Sequence, residues 1–366
     1  MKKILYVSRD DGGCGFYRCK QPAAFLKRAG LFETEVAFQK PSPAQLMSAD
    51  LVIMQEMGTA NASNIGRFML EHRIPFMTEF DDFVHHVSPN NKGGWAWNPG
   101  TLMTHRAMEL ARAGFAMQVC TNDLAREYFP YNPTIFVIPN YLDRDLWDNG
   151  SARRGDGKIR IGWAGGNAHA DDLKMISKVM QRIVREYGGK VIFETMGMFP
   201  VELAGVFPME NSPVDPCAAC GHEGVHHQHP GENLQNYPLV LASKGWDLAV
   251  APVIFNAFGN AKSDLKIKEY SAIGLPVVAS RVSSYLEAGR SGAPVAFAET
   301  YDEWYHEVKR LVDDQAHRED VSKKAKAWAQ GNWIQDRVTD IGALYKEVIE
   351  KAEKILGPKE GRTAPR

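Results

Sequence analysis

The sequence lacks several features that would point to a particular class of protein. Its 366 residues include five cysteines, an odd number that does not suit the disulfide framework of a small secreted domain. Its 43 lysines and arginines are matched by 44 acidic residues, which leaves a net charge of −1. The chain as a whole therefore carries no charge excess that would attract nucleic acid or an anionic membrane.

Long apolar runs are also missing. The amino terminus, MKKILYVSRDD, has a short apolar run between charged residues, so we expect a first strand here and not a signal peptide. No stretch approaches the roughly 20 apolar residues of a membrane-spanning helix. These absences predict a cytoplasmic protein with no transmembrane segment, and they leave the oligomeric state open.

What the chain does contain is an alternation of apolar, strand-like runs with helical segments. Such alternation predicts an α/β protein with βα units around parallel sheets, and the length suffices for two domains of this kind. Two units have a glycine-rich turn between strand and helix, at residues 9–15 and 164–169. Turn glycines let backbone amides approach a phosphate, so we predict that five of them bind a nucleotide: Gly12, Gly13, Gly15, Gly165 and Gly166.

The stretch 258–280, FGNAKSDLKIKEYSAIGLPVVAS, organises the rest of the chain. It predicts a loop, then a helix that is capped by Asn260 or Ser263 and ended by Gly274, and then a buried strand. A loop placed before such a strand is expected at the carboxyl edge of a parallel sheet, where ligands bind.

Charged side chains in that predicted helix indicate a diphosphate ligand. Lys262, Lys266 and Glu269 are spaced i, i+4 and i+7, which would place them on one helix face. Two ammonium groups beside Ser263, near a helix N-terminus, suit a diphosphate. The carboxylate is placed to accept hydrogen bonds from ribose hydroxyls. The alternative is a solvated helix face with ordinary charge pairs.

The run Glu269–Val278, EYSAIGLPVV, resembles the segment E-(aromatic or Ala)-x-A-x-G-x-P-V-V with which family 4 GT-B glycosyltransferases bind a nucleotide sugar. The run GCGFYR at 13–18 is similar to that of the bacterial and phage branch of this family, and IGWAGGNAHADDL at 161–173 is similar to the start of the family's donor domain. In one respect the sequence departs from the family. The family usually has a second glutamate, eight residues before the one that corresponds to Glu269. This chain has Ala261 at that place or, in a second alignment, Asn256.

This resemblance implies an α/β protein of the GT-B fold, with two Rossmann-like domains facing a central cleft and a C-terminal helix that crosses back to the first domain. It divides the chain into an acceptor-binding domain at 1–145, a nucleotide-sugar-binding domain at 146–335, and a terminal helix with a polar tail at 336–366. It also implies sugar transfer from a nucleotide diphosphate sugar to an acceptor hydroxyl. The transfer would retain the anomeric configuration and need no catalytic metal.

The resemblance adds site residues on the acceptor side. Asp81 and Asp82 end a predicted strand and are similar to an acidic pair of the same branch. We predict that they are catalytic together with Lys262 and Lys266; the alternative for the aspartates is an acidic turn. His169 is predicted to contact the donor or the acceptor. Arg18 is a candidate phosphate or sugar ligand, with a plain surface position as the alternative, and the triplet Asp143-Arg144-Asp145 is interpreted as structural.

The segment 207–237 is an insertion between two predicted strands. It contains a Cys-x-x-Cys pair followed by several histidines, which supply enough ligands for a tetrahedral structural zinc. The alternative is a polar surface loop. The predicted ligands are Cys217, Cys220, His222 and His226.

More than one class of acceptor is compatible with this sequence. A surface polysaccharide or a lipid-linked glycan is the commonest acceptor class in the family. The phage branch raises a hydroxymethylated pyrimidine base in DNA as an alternative. Two further hypotheses stay open at this point: a nucleotide-sugar epimerase or hydrolase, and a zinc-stabilised protein that binds sugar nucleotides without catalysis.

Overall fold

A computed structural model of the protein describes residues 1–55, 58–87, 94–98, 100–151, 154–166, 169–197, 226–229, 231–357 and 359, with the backbone only at 95 and 226–229. The described residues form two parallel β-sheets whose strands alternate with helices along the chain, as the sequence predicts. Within these ranges, no helix combines the length and the apolar character needed to cross a lipid bilayer.

The first sheet has the strand order β2-β1-β3-β4-β5-β6. Its strands are β1 Lys3–Ser8, β2 Glu33–Phe38, β3 Leu51–Gln55, β4 Phe76–Phe80, β5 Ala116–Val119 and β6 Ile135–Val137. The helices along this part of the chain are α1 Gly13–Gly15, α2 Gln21–Arg28, α3 Pro43–Ser48, α4 Ala60–Glu71, α5 Leu102–Ala113 and α6 Asn122–Tyr128. The order changes direction at β1, so the loop that follows β1 lies at a switch point of the sheet.

The second sheet has the strand order β12-β11-β10-β7-β8-β9. Its strands are β7 Ile159–Gly165, β8 Val191–Gly197, β9 His226–His229, β10 Leu248–Ala251, β11 Val277–Ser280 and β12 Val295–Ala298. The remaining helices are α7 Arg144–Trp147, α8 Ala170–Tyr187, α9 Tyr237–Ser243, α10 Ala257–Ala261, α11 Leu265–Ala272, α12 Ser283–Arg290, α13 Tyr301–Asp313, α14 Gln315–Ala329 and α15 Val338–Leu356. Here the switch point lies between β7 and β10.

Local sequence accounts for these elements. The residues of β1 after Lys3 are buried, which matches a strand covered on both faces. Helix α6 begins after Thr121, whose hydroxyl caps it by accepting a hydrogen bond from the amide of Leu124 at 3.2 Å. Gly274 ends α11 with φ +78°, the left-handed conformation that the sequence predicts at this position.

The C-terminal helix α15 crosses back to the first sheet. Its apolar face, including Ile341 and Val348, packs in one core cluster with Ile4 and Leu26 of the first sheet and its helix layer. The hydroxyl of Tyr345 on the same helix donates a 2.6 Å hydrogen bond to a side-chain oxygen in β5. The predicted crossing is therefore confirmed, whereas the domain boundaries at 145 and 335 stay predictions.

The structure differs from the predicted elements in a few places. The helix predicted after the first glycine-rich turn is three consecutive pieces, in which a π-helical turn, Phe16–Lys20, joins α1 to α2. Helices α3, α7 and α9 were not predicted, because each is short and lacks a long apolar period. Strand β9 lies within the predicted insertion 207–237 and pairs in parallel with β8.

Candidate active site

A cleft of about 380 Å³ lies between the carboxyl ends of the two sheets. The loops that follow β1 and β4 line it from one side, and the turn after β7 and the segment between β10 and β11 line it from the other. These are the chain segments that the switch points of the two sheets place together. Most of the predicted site residues line this cleft: Gly13, Asp81, Asp82, Gly165, Gly166, His169, Lys262, Ser263, Lys266 and Glu269.

The donor segment differs from its prediction in one important way. It is not one helix, because the short helix α10 ends at Ala261 and α11 begins at Leu265. Neither predicted cap is correct. Asn260 accepts a hydrogen bond from a distant backbone amide at 3.3 Å, and Asp264 is the residue at the N-cap of α11. Lys262 therefore lies in the connection between the helices and not on the face that carries Lys266 and Glu269.

Lys262 spans the cleft. Its ammonium nitrogen lies 2.7 Å from Oδ1 of Asp82, which follows β4 of the first sheet, and 4.6 Å from the centre of the Phe258 ring. Burial lowers the pKa of Lys262, but the Asp82 carboxylate more than reverses this effect, and the pKa stands above its ordinary value. The predicted donor-side cation and one predicted acceptor-side carboxylate thus form an ion pair.

Lys266 lies on the first turn of α11, with its ammonium directed to the turn after β7. Its Nζ donates a 2.8 Å hydrogen bond to the carbonyl of Ala164 and lies 5.4 Å from the centre of the Trp163 ring. Burial lowers the pKa of Lys266, and the Glu269 carboxylate partly opposes this shift. A cation held this way, beside the amides of a glycine turn, is suited to an anionic ligand.

Glu269 is buried and held by two phenols. The hydroxyl of Tyr17 donates to its Oε1 at 2.9 Å, and the hydroxyl of Tyr237 donates to its Oε2 at 3.3 Å. Burial raises the pKa of Glu269 to about 7, although Lys266 and both phenols favour the ionised form. Both tyrosines line the cleft, and sequence reasoning missed them because nothing in the sequence relates either to a carboxylate far along the chain.

Ser263 is held by a chain of buried polar groups from the first sheet. Nδ2 of Asn140 donates to the hydroxyl oxygen of Ser263 at 3.1 Å. Oδ1 of Asn140 accepts from Nη1 of Arg18 at 2.9 Å, and Nε of Arg18 donates to Oε1 of Glu79 at 2.6 Å. Arg18 is 2% exposed, so the prediction of a direct phosphate or sugar ligand is wrong, as is the surface alternative.

The glycines of the first turn divide into two groups. The amides of Gly12 and Gly15 donate to Oδ1 of Asp10 at 2.9 Å and 3.2 Å, so the carboxylate of the loop itself occupies them. A Cβ at Gly15 would lie 2.0 Å from the Asp10 carbonyl oxygen, which explains why glycine is needed there. Gly13 lines the cleft and a Cβ there would meet no atom within 4 Å. Gly13 is thus the turn glycine placed for a ligand.

The second turn is tightly packed beside Lys266. A Cβ at Gly165 would lie 2.6 Å from the Trp163 ring and 3.0 Å from Nζ of Lys266, whereas Gly166 has open space around it. Gly197, at the end of β8, has φ +103°, and a Cβ there would lie 2.2 Å from the carbonyl oxygen of Gly165. The close approach of these two strand ends brings backbone to the floor of the cleft.

His169 and Asp81 complete the polar lining. Nδ1 of His169 lies 2.7 Å from Oδ2 of Asp172, whose other oxygen accepts from the amide of Ile254 at 2.8 Å. Burial and the nearby Lys266 ammonium lower the pKa of His169. Asp81 is 8% exposed, and its Oδ1 has no hydrogen-bond partner among the described residues. It is therefore a buried carboxylate with an acceptor atom left for another group.

Neither candidate for the missing family glutamate supplies a substitute. Asn256 caps α10, because its Oδ1 accepts a 2.7 Å hydrogen bond from the amide of Gly259. Ala261 is 1% exposed and packs in the core cluster of the first sheet that includes Phe80 and Tyr128. The segment before Lys262 is therefore docked on the first domain. Since neither Asn256 nor Ala261 is acidic, the segment has no carboxylate at either position.

Of the predicted zinc ligands, Cys217, Cys220 and His222 lie outside the described residues, and only the backbone of His226 is described. The triplet at Asp143 has the structural role expected of it. Oδ1 of Asp143 accepts from the amide of Asp145 at 3.0 Å and from Nε2 of Gln335 at 2.7 Å. Asp143 is thus the N-cap of α7.

No protein-family model and no curated protein matches the sequence. Solved structures do match. Sucrose-phosphate synthase from Thermosynechococcus elongatus is similar with a TM-score of 0.70 and 11% identity, over 96% of this chain and 100% of that chain. HepE of Anabaena, in complex with UDP and glucose, is similar with a TM-score of 0.66 and 13% identity, over 96% and 100%.

A UDP-N-acetylglucosamine 2-epimerase candidate from Listeria monocytogenes is also similar, with a TM-score of 0.56 and 13% identity over 96% of this chain and 98% of that chain. Identities this low define the fold and not the reaction. Two parallel sheets facing a cleft, with a terminal helix crossing back, and full-length similarity to these proteins identify the GT-B fold. The predicted fold class is therefore confirmed.

Proposed function

We propose that the protein is a glycosyltransferase that moves a sugar from a nucleotide diphosphate sugar to an acceptor hydroxyl. The observation that carries this proposal is the composition of the cleft. Lys266, Ser263, Gly166 and the first turn of α11 meet on one side of it, beside the buried carboxylate of Glu269. Cations, a hydroxyl and turn amides suit a diphosphate, and a neighbouring carboxylate suits the hydroxyls of a ribose.

The proposed reaction depends on stabilising the leaving diphosphate. Negative charge develops on its oxygen as the bond to the sugar breaks, and fixed positive groups lower the barrier most when they are already in place. Lys266 is held in place by the protein itself, through the Ala164 carbonyl and the Trp163 ring. Lys262 is a second cation for the same group once its contact with Asp82 is exchanged for a phosphate oxygen.

The acceptor is proposed to bind on the side of the first sheet, in the domain assigned to residues 1–145. Asp81 and Asp82 lie at the end of β4 and face the cleft. Asp81 has an unpartnered carboxylate oxygen among the described residues, which suits an acceptor hydroxyl. We propose a retaining transfer in which the leaving phosphate itself takes the acceptor proton, and a surface polysaccharide or lipid-linked glycan as the acceptor.

A nucleotide-sugar epimerase is the second candidate function. It is supported by the similarity of the fold to an epimerase candidate as well as to transferases. Its chemistry would need the same diphosphate and ribose contacts in the same cleft. The two candidates differ in whether a second substrate hydroxyl takes part in the reaction.

The test begins with a thermal-shift screen of UDP-, GDP-, ADP-, CDP- and dTDP-sugars, because a ligand that binds only the folded protein raises its melting temperature. The best donor is then offered with bacterial polysaccharides, lipid-linked glycans or DNA containing hydroxymethylated pyrimidine. Transfer to a glycan supports the proposal, and transfer to DNA supports the phage-type alternative.

The remaining outcomes distinguish the other hypotheses. Isomerised or hydrolysed sugar without any acceptor would favour an epimerase or a hydrolase. Tight binding of a nucleotide sugar without turnover would favour a binding protein. No stabilisation by any of the five nucleotide classes would contradict a nucleotide-sugar enzyme altogether.

A further inference from the structure

Asn140 joins the first sheet to the donor segment. It follows β6, is 4% exposed, and also lines the cleft. Its side chain lies between Arg18 and Ser263, and its backbone carbonyl accepts a 2.9 Å hydrogen bond from Nζ of Lys268 on α11. Lys268 is held in turn by Oδ1 of Asp264 at 2.9 Å. One residue thus fixes both the side chain before α11 and the body of that helix.

The polarity of this chain of hydrogen bonds is set by Arg18. A guanidinium group has donors and no acceptor, so the atom of Asn140 that faces it must be the carbonyl oxygen Oδ1. Arg18 cannot rotate away, because Nη1 also donates to the carbonyl of Ile138 at 2.6 Å and Nε donates to Glu79. The amide nitrogen Nδ2 of Asn140 must therefore face Ser263.

This orientation decides the role of the Ser263 hydroxyl. Since Nδ2 of Asn140 has only hydrogens to offer, the Ser263 oxygen is the acceptor in their 3.1 Å contact. The hydrogen of the Ser263 hydroxyl must then point elsewhere. Among the described residues no acceptor for it is found, and Ser263 lines the cleft. The hydroxyl is thus presented to a ligand as a hydrogen-bond donor, which is the role that an anion requires.

We propose that Arg18 and Asn140 are positioning residues that make the Ser263 hydroxyl a donor to the diphosphate of the donor substrate. The proposed role of both residues is indirect: Arg18 acts through Asn140, and Asn140 acts through Ser263. The inference rests on the proposed binding of a nucleoside diphosphate in this cleft. It adds that the direction of the hydrogen bond from the Ser263 hydroxyl is set by Arg18 and Asn140, two buried residues of the first domain.

The test uses Asn140→Asp, a change of nearly equal size that keeps an oxygen for Arg18 but replaces the donor by an acceptor. The Ser263 hydroxyl would then turn its hydrogen to the introduced carboxylate and its lone pairs to the ligand. Calorimetry compares the affinities of the variant and of wild type for the nucleoside diphosphate that binds wild type most tightly among UDP, GDP, ADP, CDP and dTDP. The corresponding nucleoside is measured in parallel.

We expect the diphosphate affinity to fall about tenfold or more, because hydrogen bonds to charged groups are among the stronger ones, while the nucleoside affinity stays within about twofold. Ser263→Ala should show a similar selective loss. In the Ser263→Ala background, the further effect of Asn140→Asp should be much smaller than in wild type, because the two residues act as one unit. If Asn140→Asp does not fold, Asn140→Ala is measured in the same two backgrounds with the same expectation of coupling.

The outcomes separate the two levels of the proposal. A wild-type protein that binds none of the five diphosphates overturns the proposed function and this inference with it. Diphosphate binding that Asn140→Asp leaves unchanged overturns the inference alone. An equal loss in both backgrounds also overturns it, since a charge effect that bypasses Ser263 would produce that result. A matched loss of nucleoside affinity would show a structural role for Asn140 and equally contradict the inference.

Discussion

The Nζ atom of Lys262 lies 2.7 Å from Oδ1 of Asp82, and this ion pair joins the segment before α11 to the end of β4 across the cleft. The same segment is docked on the first domain by the Thr121 hydroxyl, which donates to the Ala261 carbonyl at 3.1 Å. A carboxylate of one domain therefore neutralises the cation that we propose as a ligand of the donor diphosphate. A diphosphate that reaches Lys262 competes with Asp82 for it.

This relationship predicts that Asp82→Asn binds the nucleoside diphosphate more tightly than wild type, by about threefold to tenfold. Removing the carboxylate frees Lys262 and removes one negative charge that faces the ligand. If Asp82 also acts on the acceptor, sugar transfer should nevertheless be slower. Affinity is measured by calorimetry and transfer by the rate of nucleoside diphosphate release.

Asp81→Asn is the matched control, because it removes the neighbouring charge and leaves the Lys262 contact intact. It should raise the diphosphate affinity less than Asp82→Asn does. Weaker diphosphate binding by Asp82→Asn would contradict the competition between the carboxylate and the phosphate. It would indicate instead that the ion pair preorganises the site.

A second prediction concerns Lys266. Replacing it by alanine should lower turnover at least about tenfold, since its ammonium is placed to stabilise the leaving phosphate, and tenfold in rate corresponds to about 1.4 kcal/mol of barrier. Turnover is measured with the donor that the thermal-shift screen identifies. Lys178→Ala removes an exposed lysine from α8 and should leave turnover unchanged. A folded Lys266→Ala variant with wild-type kinetics would remove Lys266 from the donor site.

Much of this arrangement could be predicted from the sequence. The alternation of strands and helices, the glycine turn at Gly165 and Gly166, and the segment that ends at Gly274 all depend on contacts between residues near in sequence. Local patterns of this kind identify elements and place loops at the ends of strands. They also placed Lys266 and Glu269 correctly on one helix.

What could not be predicted depends on contacts between the two domains. The stretch before α11, which the sequence predicts as a loop, contains the short helix α10, and Ala261 of that helix packs on the first domain. Tyr17 meets Glu269, and Asn140 meets Ser263, only after both domains have folded and packed together. Nothing near Arg18 in the sequence reveals its buried ion pair with Glu79, which lies on a separate strand.

A third prediction is that transfer survives chelation. The charge of the diphosphate is met in this proposal by lysines, turn amides and the Ser263 hydroxyl, and the Asp143 triplet is committed to capping α7. Activity in excess EDTA should therefore remain near that of the untreated protein. A complete loss that magnesium or manganese restores would contradict this part of the mechanism.

A fourth prediction concerns the segment 207–237. If Cys217 and Cys220 bind zinc together with two histidines such as His222 and His226, protein purified without chelators should contain close to one equivalent of zinc. Replacing both cysteines by serine should make the segment more sensitive to proteolysis, since metal binding contributes folding energy. Diphosphate affinity should change little, because Lys266 and Ser263 lie elsewhere. Elemental analysis that finds no metal would leave the segment a polar loop.

The last prediction is a pH dependence of nucleoside binding. Burial raises the pKa of Glu269 to about 7, against the opposing effects of Lys266, Tyr17 and Tyr237. The ionised carboxylate is the form that accepts hydrogen bonds from ribose hydroxyls, so affinity should be full above pH 8 and fall as the pH drops through 7. With that pKa, about a tenth of the ionised form is left at pH 6, and affinity should be weaker by up to about tenfold.

The measurement uses the nucleoside and not the diphosphate, because phosphate groups titrate near pH 6 themselves. Glu269→Gln is the control, since it has nearly the same shape and cannot ionise. It should bind more weakly than wild type at pH 8 and show a nearly flat profile between pH 6 and 8. A flat wild-type profile, or an equal slope in Glu269→Gln, would mean that the ionisation of Glu269 does not govern ribose binding.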